Sequence, residues 1–236
     1  MTAVSTFSLF RFPSLADRLW ALAQMGAARR PLGRAPGLGF FKLFGSGVGE
    51  GFTPAPNTAV WAILACWEND AAATAGLAGP VHRRWRERSS ESWTALLVAR
   101  AARGRWSGQA PFAVARAEGD GPLAVLTRAT LRPRALFAFW RRAPAISRAI
   151  AANRDVLFKI GVGEAPWLQQ VTFSVWPDAR SMSSFARAEG PHARAVAAVR
   201  AGGWFREELY ARFEIVGEEG AWGGRSPLSP ERADRA

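Results

Sequence analysis

Two periods of hydrophobic residues run through this chain. Strict alternation, the mark of a strand with one buried side, covers "VSTFSLFRF" at 4–12, "AVLTRATLR" at 124–132 and "ELYARFEIV" at 208–216, with a further strand predicted in "SWTALLVAR" at 92–100. Helical spacing covers 15–30, where Leu15, Leu19, Leu22 and Gly26 fall on one face, and a corresponding helix is predicted over 135–152. Between each helix and the next strand stands one phrase in two near copies, "FKLFGSGVGEG" around Lys42 and "FKIGVGEAP" around Lys159, which contain the only two lysines of the chain. Each copy leads into an apolar strand ending in Trp (Trp67, Trp176), an acidic helix start (Glu68 to Asp70; Asp178) and a helix with Gly-Pro and a histidine, His82 or His192.

Read in order, these elements spell βαββαβ twice, the ferredoxin-like unit. The expected fold is α+β: two tandem ferredoxin-like repeats forming an α/β barrel with sheets packed face to face. The first repeat spans 1–105, a polar linker 106–121, the second repeat 122–220, and a flexible tail 221–236. "AVWAILACW" and "WTALLVA" are apolar on both sides, so the first-half strands should be covered on both faces. In the second half Val125, Thr127, Ala129 and Leu131 alternate with Arg128, Thr130 and Arg132, and Val171, Phe173 and Val175 with Gln170, Thr172 and Ser174. Leu209, Ala211 and Phe213 likewise alternate with Tyr210, Arg212 and Glu214. The apolar sides should pack on the first sheet, leaving Arg128, Arg132, Lys159, Gln170, Thr172 and Arg212 to line a cavity beneath the second pair of helices.

Composition narrows the chemistry. A formal charge of +12 allows an anionic partner, but the arginines are dispersed and the polar face lacks a stacking platform, so nucleic acid is not indicated. The single cysteine, Cys66, lies in an apolar run and excludes an intrachain disulfide framework. No uncharged apolar stretch reaches the ~18 residues of a membrane span, which suggests a cytoplasmic protein, at most peripheral to the inner membrane surface. Phosphate-loop, dinucleotide, zinc-protease and serine-hydrolase motifs are absent. Two histidines and one cysteine supply a protein-only metal site poorly, whereas one histidine suffices to anchor a haem, because the porphyrin provides the equatorial nitrogens. His192, on a helix face with Phe185, Val196 and Val199, reads either as a structural core histidine or as such a ligand; His82, followed by Arg83, Arg84 and Arg86, lies on a solvated-looking face.

The segments "PGLGFFKLFGSGVGEGFTPAPNT", "RGRWSGQAPF", "LTRATLRPRALFAFWRRAP", "FKIGVGEAPWLQQVTFSVWPD", "GPHARAV" and "WFREELYARF" together resemble the spheroidene monooxygenase family, over roughly Phe7 to Gly223. The resemblance implies an oxygenase that places a keto group at C2 of acyclic carotenoids, with O₂ and a ferredoxin-type electron donor. It also implies haem b iron and a relation to dimeric α/β-barrel haem proteins, and a homo-oligomer is compatible with it. Under this reading His192 is the axial iron ligand, Arg128, Arg132, Lys159 or Arg212 pair with haem propionates, and Gln170 or Thr172 contact distal oxygen. A non-catalytic haem- or carotenoid-binding barrel is the alternative.

Overall fold

The computed structural model describes residues 2–49, 55–115, 121–141, 155–165, 167–187 and 202–229. Eight antiparallel strands close into one barrel: β1 (Val4–Arg11), β2 (Leu38–Gly47), β3 (Pro56–Trp67), β4 (Glu91–Gly104), β5 (Leu123–Leu131), β6 (Phe158–Gly163), β7 (Gln169–Trp176) and β8 (Phe205–Gly220). Their order around the barrel is β1-β3-β2-β6-β7-β5-β8-β4. The first four strands therefore run β4-β1-β3-β2 and the last four β8-β5-β7-β6, the same order in each half. The halves do more than stack face to face, because their edges are hydrogen-bonded to one another on both sides. One seam is long, with β4 pairing β8 from Trp93↔Gly220 to Gly104↔Leu209. The other is short: β2 meets β6 only at Gly45↔Gly163 and Ser46↔Val162, inside the two copies of the glycine phrase.

Side chains fill the barrel. Phe7 of β1 stacks on Phe173 of β7 with ring centroids 4.1 Å apart, and Trp93 of β4 meets Phe158 and Phe173 at 5.4 and 6.2 Å. These rings join Leu64, Leu97, Leu126, Val171 and Phe213 in one buried cluster, so the interior is a packed core and not a channel. Outside the first half, α1 (Leu15–Ala27), α2 (Arg29–Leu32), α3 (Asp70–Ala78) and α4 (Pro80–Arg88) cover the sheet. Phe10, Phe12, Trp20 and Trp85 pack there edge to face at 5.1 to 6.0 Å. β3 from Val60 to Trp67 and most of β4 from Trp93 to Ala99 are thus buried on both faces, as their continuous apolar runs predict.

Local signals start the helices. Ser14 caps α1, its Oγ accepting from the Asp17 N–H at 3.1 Å, and the Asn69 side chain does the same for α3 from Ala72 at 2.9 Å. Pro80 opens α4, where its missing N–H costs nothing. α5 (Ala179–Arg187) begins beyond Asp178, whose carboxylate accepts from the Ser181 N–H at 2.7 Å; this bond holds the carboxyl below its ordinary value. Among the described residues no helix is long and apolar enough to cross a membrane.

The stretch assigned to a tail packs where it is described. Trp222 and Leu228 lie against the barrel core, Arg11 sits 4.6 Å from the Trp222 ring, and Trp222 bridges Arg225. The linker has a matching device, a Trp106↔Gln109 bridge with Trp106 fully buried. The two devices follow Gly104 and Gly220, which both have positive φ and no room for a Cβ, since it would fall 2.1 and 2.2 Å from a backbone oxygen of the neighbouring strand.

His82 is also corrected by the structure. It is 1% exposed, on the inner side of α4 with Trp85 three residues on, and its ring lies 6.4 Å from that of Trp67. The flanking arginines occupy other positions around a short helix, so a charged neighbourhood in sequence does not place the imidazole in solvent. Burial pushes it down to about 4, the Arg86 charge adds to this, and the Gly76 backbone offsets part; that contact falls short of a hydrogen bond, and neither ring nitrogen has one. A group whose folded value is depressed takes up its proton more readily when unfolded. The fold should therefore lose up to roughly 3 kcal/mol as pH falls from 6.5 towards 4. His82→Phe should flatten that slope in urea denaturation at pH 7, 5.5 and 4.5; parallel slopes in both proteins would refute the assignment.

Candidate functional site

The outer face of the second half collects most of the residues singled out by sequence. Along β6, β7 and β8 the inward side chains are Ile160, Val162, Val171, Phe173, Val175, Leu209, Ala211 and Phe213, all in the barrel core. Lys159, Gln170, Thr172, Ser174, Tyr210 and Arg212 alternate with them and stand outside. The pairing aligns them in rows. Lys159 opposes Ser174, Ser174 opposes Val125 and Val125 opposes Arg212, so two cations end a row three strand spacings wide, roughly 14 Å. The next row runs Gly161, Thr172, Thr127, Tyr210. The Thr172 Oγ1 there is shut off from solvent with no hydrogen-bond partner, an uncommon state for a buried hydroxyl. Arg132 follows β5 at the edge of this face, exposed, its backbone N–H held by the Trp204 carbonyl at 2.8 Å. His192 lies outside the described residues.

Arg128 does not join this face. β5 sets it opposite Val171 and Leu209, both inward, so it points into the barrel with Ala124 and Leu126, 2% exposed. It pairs there with Glu207, and its guanidinium lies 5.6 Å from the ring of Trp106. Glu207 also accepts from the backbone N–H of Gly108 at 2.7 Å and of Ser107 at 2.9 Å. Burial alone would raise this carboxyl, but the two N–H groups and Arg128 outweigh it and hold it below the usual carboxylate value. Beside this pair, Lys42 Nζ lies 2.7 Å from Glu164 and donates to Ser107 Oγ at 2.9 Å, while Trp106 Nε1 donates to Glu164 at 2.7 Å. Two acid–base pairs and one tryptophan thus stopper one end of the barrel. Sequence reading did not find Glu164, Glu207 and Trp106 as a group, because they meet only through contacts 58 to 100 residues apart.

A cleft of about 420 Å³ opens at the short seam. Its floor is glycine backbone (Gly45, Gly47, Gly161, Gly163); one wall is Leu15, Leu19 and Leu22 of α1, the other Trp140 and Trp167. Leu15, Leu19 and Leu22, which share one helix face, are 71, 58 and 56% exposed, because α1 packs on the barrel through Trp20, Ala21 and Met25. Trp167 has φ 63°, a conformation a bulky residue adopts only when its surroundings impose it, and its carbonyl accepts from Trp140 Nε1 at 3.2 Å. Gln170 also lines the cleft, which joins this apolar space to the polar outer face. Cys66 takes no part; it is buried, with its thiol pushed up to about 12 by that burial. No cluster of three metal-ligating side chains occurs among the described residues.

No protein-family model matches the chain. It is 51% identical over 226 residues to the spheroidene monooxygenase of Cereibacter sphaeroides, covering 94% of this chain and 70% of that protein. It is 46% identical over 236 residues to the spheroidene monooxygenase of Rhodobacter capsulatus, covering 98% of each. Among solved structures, an aldoxime dehydratase superposes with a TM-score of 0.57 at 11% identity over 90% of this chain and 81% of that one, a likeness of fold alone.

The stopper makes its own prediction. Glu207→Ala leaves the Arg128 charge buried without a carboxylate and should cost roughly 3 kcal/mol in chemical denaturation. Adding Arg128→Met should recover most of it. Equal losses in the single and double variants would show that the pair does not act as a unit.

Proposed function

Because this chain belongs to the spheroidene monooxygenase family, we propose that it oxygenates acyclic carotenoids, introducing a keto group at C2 by two successive hydroxylations. The observation that carries this reading is the apolar cleft that ends at Gln170, on the same outer face as Thr172, Lys159 and Arg212. An unfunctionalised polyene offers no charge to grip, so its recognition needs an apolar wall, and its oxidation needs a polar, water-poor place at the end of that wall. Each hydroxylation inserts one atom of O₂ into a C–H bond and reduces the other to water with two electrons and two protons. The second gives a geminal diol that loses water to the ketone. A ferredoxin-type donor would supply the electrons.

Haem b fits the outer face. Thr172 offers a buried hydroxyl with no partner, and Lys159 and Arg212 place cations at opposite ends of a row for the propionates, with Arg132 at the edge. His192 would hold the haem iron. Bound haem would supply the activation of O₂. The chain's own side chains would then hold the substrate against the cleft walls, exclude water through Trp140 and Trp167, and orient the reacting carbon towards the Gln170 amide and the Thr172 hydroxyl.

Protein made with adequate haem supply should show a Soret band that His192→Ala abolishes. With O₂, reduced ferredoxin and detergent-dispersed spheroidene it should yield a product in which two hydrogens at C2 are replaced by one oxygen. Gln170→Leu and Thr172→Val should each lower turnover by about tenfold to a hundredfold while circular dichroism is unchanged. A colourless protein that still turns over would sink the haem assignment, and a haem-loaded protein giving no oxygenated product would sink the oxygenase reading in favour of a carrier.

A further inference from the structure

We propose that the leucine face of α1, with Trp167, Leu168 and Phe137 across the cleft, docks on an anionic lipid bilayer, from which the apolar substrate passes directly into the cleft. The inference rests on the oxygenase reading for the identity of that substrate. The docking surface itself is argued from four features of this chain.

First, the apolar groups are concentrated. Leu15, Leu19 and Leu22 form one exposed stripe, Trp167 and Leu168 are exposed on the turn opposite, and Phe137, 78% exposed, stands one turn before Trp140 in helical residues 136–141. Isolated exposed apolar residues need no explanation, but three leucines and Trp167 lining one apolar cleft, with Leu168 next to Trp167 and Phe137 one turn from Trp140, do. Second, α1 is built to lie on a surface. Its opposite side is fixed to the barrel by Trp20, Ala21 and Met25, and Asp17 is tied to Arg88 at 3.2 Å, so the stripe cannot rotate inward. No described helix can cross a bilayer, which leaves an in-plane amphipathic contact.

Third, arginines stand around the mouth. Arg18 lines the cleft and donates to the Phe12 and Pro13 carbonyls, Arg29 donates to the Met25 carbonyl at 2.8 Å one turn beyond the stripe, and Arg141 lies 5.9 Å from the Phe137 ring. The one acid among the described lining residues, Glu164, is occupied by Lys42. Apolar anchors ringed by arginine in a chain of charge +12 complement an anionic headgroup layer. Fourth, the cleft is small. About 420 Å³ lies near the lower end of the ~300–1,000 Å³ that encloses a drug-sized molecule. A long carotenoid can insert only one end, and the remainder stays covered if the mouth is seated in lipid.

The test uses vesicles of phosphatidylcholine with or without phosphatidylglycerol, free of carotenoid. The wild-type chain should float with phosphatidylglycerol vesicles, more weakly as salt rises, and Leu15→Gln/Leu19→Gln/Leu22→Gln should reduce binding tenfold or more. Because Cys66 is buried, Leu19→Cys can carry a single environment-sensitive dye, whose emission should shift to the blue on these vesicles. Unchanged binding by the triple variant, or an unshifted dye, would place the contact elsewhere and overturn the proposal. Self-association without vesicle binding, lost in the triple variant, would make the face an interface between two copies and overturn it equally. Turnover of detergent-dispersed substrate is a separate measurement, so failure on vesicles leaves the oxygenase reading standing.

Discussion

The structure turns on the shortness of one strand pairing. A closed barrel removes every sheet edge, and β4 with β8 do so along their whole length, but β2 and β6 overlap only where their glycine phrases cross. On one side of that crossing β6 ends, and Glu164 and Trp106 come in to meet Lys42 of β2; on the other side β2 ends, and the uncovered space becomes the apolar cleft. The charged stopper and the cleft are two completions of the same unfinished seam. Glycine is what permits both. A Cβ on Gly163 would lie 2.5 Å from the Gln169 carbonyl oxygen, so the turn between β6 and β7 and the floor of the cleft require its absence.

Much of this organisation is written locally. The strands follow from alternation, the two-sided burial of β3 and β4 from unbroken apolar runs, and the inward set of β7 and β8 from the polar residues between. β5 presents the opposite face from the one its alternation predicts, for a physical reason. In "LAVLTRATL" both sides are nearly equally apolar, and a single arginine tipped the assignment; the pairing with β7 and β8 then places Arg128 inside, where Glu207 makes its charge tolerable. The leucine stripe of α1 shows a different limit. Periodicity says that a face is apolar, while what covers it is a tertiary fact. A further signal stands in the sequence: "RGRWSGQ" after β4 and "EGAWGGR" after β8 share a glycine, then a tryptophan two residues on, and both fold into the same bridged turn against the barrel.

The charged stopper and the polar outer face also differ in what they can do. At the stopper every charged group has an opposite charge within reach, Glu207 also accepts from two backbone N–H groups and Glu164 from the Trp106 indole, so its electrostatics are closed on themselves. Such an arrangement specifies how the ends of β2, β5 and β8 meet the 106–109 turn. It leaves no donor or acceptor directed at a ligand except the Arg128 Nε and the Thr130 Oγ1, both enclosed in the core. Thr172 carries the same kind of unpartnered atom on the face that adjoins the cleft. Its hydroxyl is equally shut off from solvent, but it stands two residues along β7 from Gln170, which lines the cleft.

Space leads to the same face by a separate route. The barrel interior is filled by stacked rings, and the outer face of the first half is closed by four helices around Phe10, Phe12 and Trp85. A rigid apolar ligand therefore has neither volume nor entry in those places. Among the described residues two clefts remain: a smaller, more polar one of about 270 Å³ beside Val4, Phe40, Cys66 and Gln109, and the apolar one at the seam, next to the β6-β7-β5-β8 face, where Gly161 and Gly163 keep the surface low and Gln170 stands between the apolar wall and the polar rows. In the first half, the corresponding strand carries Lys42 inward, into the stopper; in the second it carries Lys159 outward, onto this face. The same phrase thus serves closure in one half and exposure in the other, because the turn that follows β4 supplies Trp106 and Ser107 on the first side of the seam, and the open cleft lies on the second.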